Sequence, residues 1–232
     1  MLALFDPLYL IIMAPVLIFS LYAQWLVKSR YQTYSKYGLR SGMTGAQIAR
    51  QILRANGVTD VDVEETRGWL SDHYSPNERK LRLSSGVYNG KSVAAAGIAA
   101  HETGHAIQHD TGYAVMTAWQ ALAKPASVGS NLAFWLIFIG FMMGAMGLIH
   151  LGIVLFSFLV AFQIVTLPVE FNASSRAKQL LYEHGIVRGE EYQGVAAVLN
   201  AAAMTYVAAA AASVAQLLYF LIRAGLLGGR ND

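Results

Sequence analysis

The 232 residues are 55% hydrophobic and 13% charged, with a formal net charge of +3. A soluble domain carries about 25% charged residues, so this chain lacks the charge to cover a water-exposed surface and reads as a membrane protein. It contains no cysteine, which excludes disulfides, thiolate zinc ligands and a thiol nucleophile; nor does it show a basic patch of the kind that binds nucleic acid.

The first apolar run covers residues 8–27. No Lys or Arg precedes it, whereas Lys28, Arg30, Lys36 and Arg40 follow. A secretory signal has the reverse polarity, and Leu21-Tyr22-Ala23 is a poor cleavage site. The run therefore predicts a retained transmembrane helix with its N-terminus outside and its far end in the cytoplasm.

From Tyr31 to about Pro125 the composition is that of a water-soluble segment. Thr44 is placed to N-cap a helix whose apolar residues Ile48, Ile52 and Leu53 share one face, with Gly57 as its stop. Residues 58–65 alternate as a short strand does. Ser75-Pro76-Asn77 signals a turn. Residues 79–83 alternate polar and apolar, which predicts a half-exposed strand at a sheet edge, open to strand addition by an extended peptide. Asn89 or Ser92 then caps a helix running to about Asp110, and Gly112 ends it.

Residues 128–168 hold no Lys, Arg, Asp or Glu. One span needs about 20 residues, so this block of about 40 predicts a transmembrane hairpin, turning near Gly140, Gly144, Gly147, His150 and Gly152. Those glycines permit close helix packing within or between chains, which leaves a homodimer open. Pro168 favours the first turn of a new helix, with Glu170 near its start. An Ala-rich helix begins near Gly194 and becomes strongly apolar over 206–222, the fourth predicted span. With these spans, fifteen of the seventeen Lys and Arg fall in 28–127 and 169–205, and both segments are assigned to the cytoplasm.

Within that frame lies "HETGHAIQH", residues 101–109. In His-Glu-x-x-His on a helix, two histidines one turn apart offer ring nitrogens to the same metal ion. The intervening Glu stands beside the attacking water rather than on the metal. Here these are His101, His105 and Glu102, and they predict one zinc ion per chain. A hydrolytic zinc takes three protein ligands. His109 lies about 12 Å along the axis from His101, too far to share an ion with it on an unbroken helix, and is read as a polar or supporting residue. Glu170 is the better third ligand, because a two-span hairpin returns it to the side of the membrane that carries His101.

The stretches "SDHYSPNERKLRLSSGVYNGKSVAAAGIAAHETGHAIQH", "PVEFNASSRAKQLL" and "AAAMTYVAAA" resemble, in order, the bacterial membrane neutral zinc metallopeptidases of the YugP-like family. More distantly the chain resembles glutamate-ligand zinc peptidases such as the HtpX-type membrane proteases. The resemblance implies His101, His105 and Glu170 as zinc ligands and Glu102 as general base. It implies a mainly α membrane protein of about four transmembrane helices with a cytoplasmic zincin-like catalytic domain, built from 28–127 and 169–205, and a small β element. The wider pattern has an Asp where this chain has Ser174, so any carboxylate support of a ligating histidine there is replaced by a hydroxyl.

His73, Tyr74, Arg176 and His184 are candidate contacts to the transition state or substrate. The expected partners are a peptide or membrane-protein substrate and the lipid bilayer, in the bacterial inner membrane. An intramembrane site-2-type protease is a second reading. Against it, the apolar run 93–100 ahead of His101 is too short to span, and no downstream Asp-Gly ligand motif exists. A zinc-stabilised, non-catalytic scaffold is a third, opposed by the intact Glu102. A transporter is disfavoured by the lack of charged residues inside the spans.

Overall fold

The computed structural model describes residues 6–227. Seven helices and three strands follow in the order α1 (Pro7–Tyr34), α2 (Gly45–Ala55), β1 (Asp62–Thr66), β2 (His73–Ser75), β3 (Lys80–Ser84), α3 (Ser85–Tyr88), α4 (Val93–Asp110), α5 (Ala114–Met143), α6 (Met146–Glu183) and α7 (Glu190–Arg223). The chain forms two compact units, one from residues 24–117 and 168–204 and the other from the remainder.

The described residues of the second of these are helical apart from their ends and one turn. Four helices, α1, α5, α6 and α7, are long and apolar enough to cross a membrane. No more than 33% of the most apolar window of any of them is buried inside the protein. Leu17, Ile18, Phe134, Trp135, Met142 and Val154 are among the large apolar side chains left exposed. Such a surface suits lipid rather than water. The Ala-rich α7 is likewise left largely uncovered, whereas a helix packed inside protein would be covered all round.

The α5–α6 hairpin turns at Gly144, which has φ +65°. A Cβ at Gly140 would lie 2.7 Å from Ile149 Cγ1, and one at Gly152 would lie 2.5 Å from Ile137 Cγ1. These glycines therefore serve close packing within the chain. At the other end of the spans, Asp6 Oδ2 accepts from the Tyr219 hydroxyl at 3.0 Å and pairs with Arg223 at 3.3 Å, tying the start of α1 to the end of α7.

The first unit carries the sheet and α4. Helix α2 opens with a full capping box, in which Thr44 Oγ1 accepts from the Gln47 N–H and Gln47 Oε1 accepts from the Thr44 N–H. Gly57, at φ +77°, ends the turn beyond it. Val58 then returns its N–H to Leu53 O and is buried, so β1 starts only at Asp62 rather than at residue 58. The sheet order is β1-β3-β2, with β1 parallel and β2 antiparallel to β3.

Strand β3 is thus the central strand, not the expected edge, and both its sides are hydrogen-bonded. Leu81 and Leu83 are fully buried on one face, with Arg82 in ion pairs to Glu64 and Glu78 on the other. That alternation is compatible with either position, and only the pairing distinguishes them. The free edges among the described strands are β1 and β2. Ile48, Ile52, Leu81, Leu83, Val87, Leu181 and Leu199 form the core with the alanines of α4; each large aliphatic contributes about 1.5–3 kcal/mol on burial.

Ser92 caps α4, accepting from the Ala95 N–H at 3.2 Å, while Asn89 ends the short α3. Two helix boundaries differ from expectation. Helix α5 begins at Ala114 and runs through Pro125, and α6 runs unbroken through Pro168. Pro168 therefore does not start a helix, and Glu170 lies well inside one. A proline removes one N–H from a helix already satisfied on either side, and in apolar surroundings an uncoiled backbone would cost more. Just upstream, Thr166 Oγ1 donates to Phe162 O at 2.8 Å and accepts from Trp119 Nε1.

Candidate metal centre

Helix α4 is buried on nearly every side, because its first two turns are mostly alanine and glycine and allow neighbours to approach closely. At Gly104 an added Cβ would lie 2.9 Å from Ala173 O and 3.2 Å from Ala173 Cα. The backbones of α4 and α6 therefore meet there, one residue before His105 and three after Glu170. This contact brings residues far apart in sequence to one point.

His101 Nε2 lies 3.1 Å and His105 Nε2 3.7 Å from the same atom, Glu170 Oε2. All three residues offer ligand atoms within 4.8 Å of one another, so they could hold a metal ion. Tetrahedral zinc bound at about 2.0–2.1 Å separates its ligand atoms by about 3.4 Å, and the two observed separations bracket that value. The ring planes of His101 and His105 stand at 83°, with centroids 4.7 Å apart. Side chains of the triad are only 9–12% exposed.

The other ring nitrogens are held by the protein. Ser174 Oγ lies 3.1 Å from His101 Nδ1, and Gln108 Oε1 lies 3.0 Å from His105 Nδ1. An amide oxygen only accepts, so His105 carries a proton on Nδ1 and Nε2 is the atom left to bind a metal. Gln108 is itself oriented by its amino group, which donates to Val169 O at 2.8 Å and to Asn172 Oδ1 at 3.0 Å. Asn172 Oδ1 also accepts from Arg176 Nε at 2.8 Å. A chain of hydrogen bonds thus runs from Arg176 through Asn172 and Gln108 to His105, joining the two elements that carry the triad.

Burial works to lower the pKa of His105. Hydrogen bonding to Glu170 and the charges of Glu102 and Glu170 outweigh it, and the group is raised from 6.5 to about 9. Glu102 is half-buried beside His101, and burial pushes its pKa up against the opposing pull of His101 and His105. The surroundings of His105 favour positive charge, as a cation site must.

Other predicted residues stand apart from this point. The His109 ring bonds the Tyr74 hydroxyl through Nδ1 at 2.8 Å, and His109 is not among the grouped ligands. Tyr74 is 9% exposed, and burial raises its pKa, against the lowering effect of Arg79. His73 is exposed, with Nδ1 2.8 Å from Ser71 O. Arg176 reaches the triad only through Asn172 and Gln108, and His184 is exposed beyond the end of α6. Among the described residues, the hydrogen bonds of His73, Tyr74 and Arg176 go to Ser71, His109 and Asn172 rather than to the triad.

Gln108 and Asn172 belong to the site yet carry no metal-binding signature in the sequence. The available signal was spacing: Gln108 follows His105 by three residues and so shares its face. Gln108→Leu is expected to weaken zinc binding by about 10–100-fold, the usual effect of losing a partner that orients a ligand. Competition with a chromogenic chelator would measure this, and unchanged affinity would show that the bond orients nothing.

Residues 9–225 match the model of a family described as "putative neutral zinc metallopeptidase". The chain is also 48% identical over 213 residues to the "putative membrane protease YugP" of Bacillus subtilis strain 168, covering 92% of this chain and 94% of that protein. No solved structure matches. On a family match over nearly its whole length, and a relative of this identity, the chain belongs to the neutral zinc metallopeptidase family.

Proposed function

We propose that the protein is a membrane-embedded zinc endopeptidase, with His101, His105 and Glu170 as ligands and Glu102 as general base. The observation that carries this reading is the convergence of both Nε2 atoms on Glu170 Oε2 while both Nδ1 atoms are held by Ser174 and Gln108. Zinc, when bound there, supplies a Lewis acid that acidifies water and polarises a peptide carbonyl. Glu102 lies beside the ligands without belonging to them, where it can accept the proton of the attacking water and deliver it to the leaving amine. Its raised pKa suits the first half of that exchange, because a carboxylate of higher pKa takes up a proton more readily.

Substrate enters as an extended chain. The sheet edge available to it is β2, which packs against α4, rather than β1, which packs against α2 and α3. The substrate is a peptide or an exposed segment of a membrane protein. The test is metal removal: purified protein treated with 1,10-phenanthroline should lose cleavage of a fluorogenic unfolded protein, and added zinc should restore it. Cleavage that persists after verified metal loss would refute the reading.

We further place the site on the cytoplasmic side of the inner membrane, because fifteen of seventeen Lys and Arg lie in the segments assigned there. The chain has no cysteine, so Asn77→Cys in the exposed β2–β3 turn gives a single reporter. A membrane-impermeant maleimide should label it in inverted vesicles and leave it unlabelled in intact spheroplasts; the opposite pattern would reverse the orientation.

A further inference from the structure

Between β1 and β2 the chain makes a tight loop, residues 67–72, whose conformation is firmly held. At its base, Thr66 is in register with Ser84 across the sheet, and Asp72 accepts from both the N–H and the hydroxyl of the same Ser84. Within it, Ser71 Oγ donates to Arg67 O at 3.0 Å. Gly68 has φ +113°, and Leu70, at φ +51°, occupies a region that branched and bulky residues avoid. The strained backbone turns one side chain outward: Trp69 is 62% exposed. None of these residues takes part in the metal centre or its hydrogen-bond chain.

The Trp69 ring is not loose. It meets Tyr31 of α1 edge to face, with centroids 5.7 Å apart and planes at 88°. Tyr31 lies four residues beyond the apolar run 8–27, which is about 6 Å along a helix. The headgroup layer on each side of a bilayer is about 5–8 Å deep, so Trp69 stands at its level. Trp25, 61% exposed on the same helix, marks the boundary one step earlier. Lys28 and Arg67 are both exposed near these rings in sequence. Exposed indoles with adjacent cations are the composition found where proteins meet lipid headgroups, since the ring is amphipathic and the cations meet phosphate.

We propose that the 67–72 loop is a second membrane anchor, with Trp69 seated in the lipid headgroup layer beside the emerging end of α1. The partner is the bilayer itself. The inference rests on the membrane reading of α1 and not on peptidase activity, and its test involves neither metal nor cleavage. The loop leads directly into β2, so an anchored loop would hold that strand close to the membrane surface.

The experiment compares the native chain with Trp69→Phe in vesicles of phosphatidylcholine and phosphatidylglycerol. The difference in tryptophan emission isolates Trp69 from Trp25, Trp119 and Trp135. It should be quenched when the lipids are brominated at carbons near the headgroup, and little affected by aqueous iodide. Quenching by iodide and not by brominated lipid would overturn the proposal. So would insensitivity to both that changes only when a peptide is added, since Trp69 would then be a substrate contact. As a check independent of that substitution, Trp69→Cys carrying a nitrobenzoxadiazole label should be quenched by shallow spin-labelled lipid, unlike a label at Asn77→Cys; equal behaviour at the two positions would also overturn it.

Discussion

Glu102→Gln is expected to retain zinc at one ion per chain and to cleave peptides about 100- to 10,000-fold more slowly, the range that positioned proton transfer contributes. Glutamine keeps the shape and most of the packing but cannot accept a proton. Glu102 lies next to His101 in sequence, yet it is not one of the three residues whose ligand atoms converge. Removing its charge therefore leaves all three ligands in place. The measurement pairs atomic absorption for zinc with hydrolysis of a fluorogenic protein. Unchanged hydrolysis would deny Glu102 the role of base, and loss of zinc would make it a ligand instead.

Glu170→Ala should abolish stoichiometric zinc binding, and so should His101→Ala, whereas His109→Ala should leave it intact. The expected loss for the first two exceeds the about 10–100-fold that follows removal of a merely supporting residue. The contrast is sharp because Glu170 Oε2 is the common neighbour of both Nε2 atoms, while His109 Nδ1 is engaged by Tyr74. His109→Ala releases the Tyr74 hydroxyl, so its effect should fall on stability rather than on metal content. Zinc lost from His109→Ala and retained by Glu170→Ala would overturn the assignment.

Much of this arrangement is legible in the sequence because it is set by local rules. The capping box at Thr44, the helix stops at Gly57 and Gly112, and the Ser92 cap are decided within a few residues. So is the hairpin, which the length of an uncharged run dictates. The grouping of His101, His105 and Glu170 follows from helix spacing once the hairpin is accepted.

The misses have a common origin in partners remote in sequence. Residues 79–83 look like an edge strand because their outward face is charged, but Arg82 and Lys80 find Glu64 and Glu78 across the sheet and along the turn. Pro125 and Pro168 read as boundaries by propensity, and the apolar surroundings override them. Gln108 carries no metal-binding signature of its own in the sequence. Only the close approach of α6 at Gly104 shows that it links His105 to Val169 and Asn172.

The unbroken course of α6 through Pro168 has a consequence for how the protein comes into being. The residue proposed as third ligand rides on the same helix as a membrane span, so a growing chain presents His101 and His105 long before Glu170 exists. The ribosome must complete the hairpin before the third side chain can join the other two. A chain built in this order cannot group the three proposed ligands until α6 itself has been made.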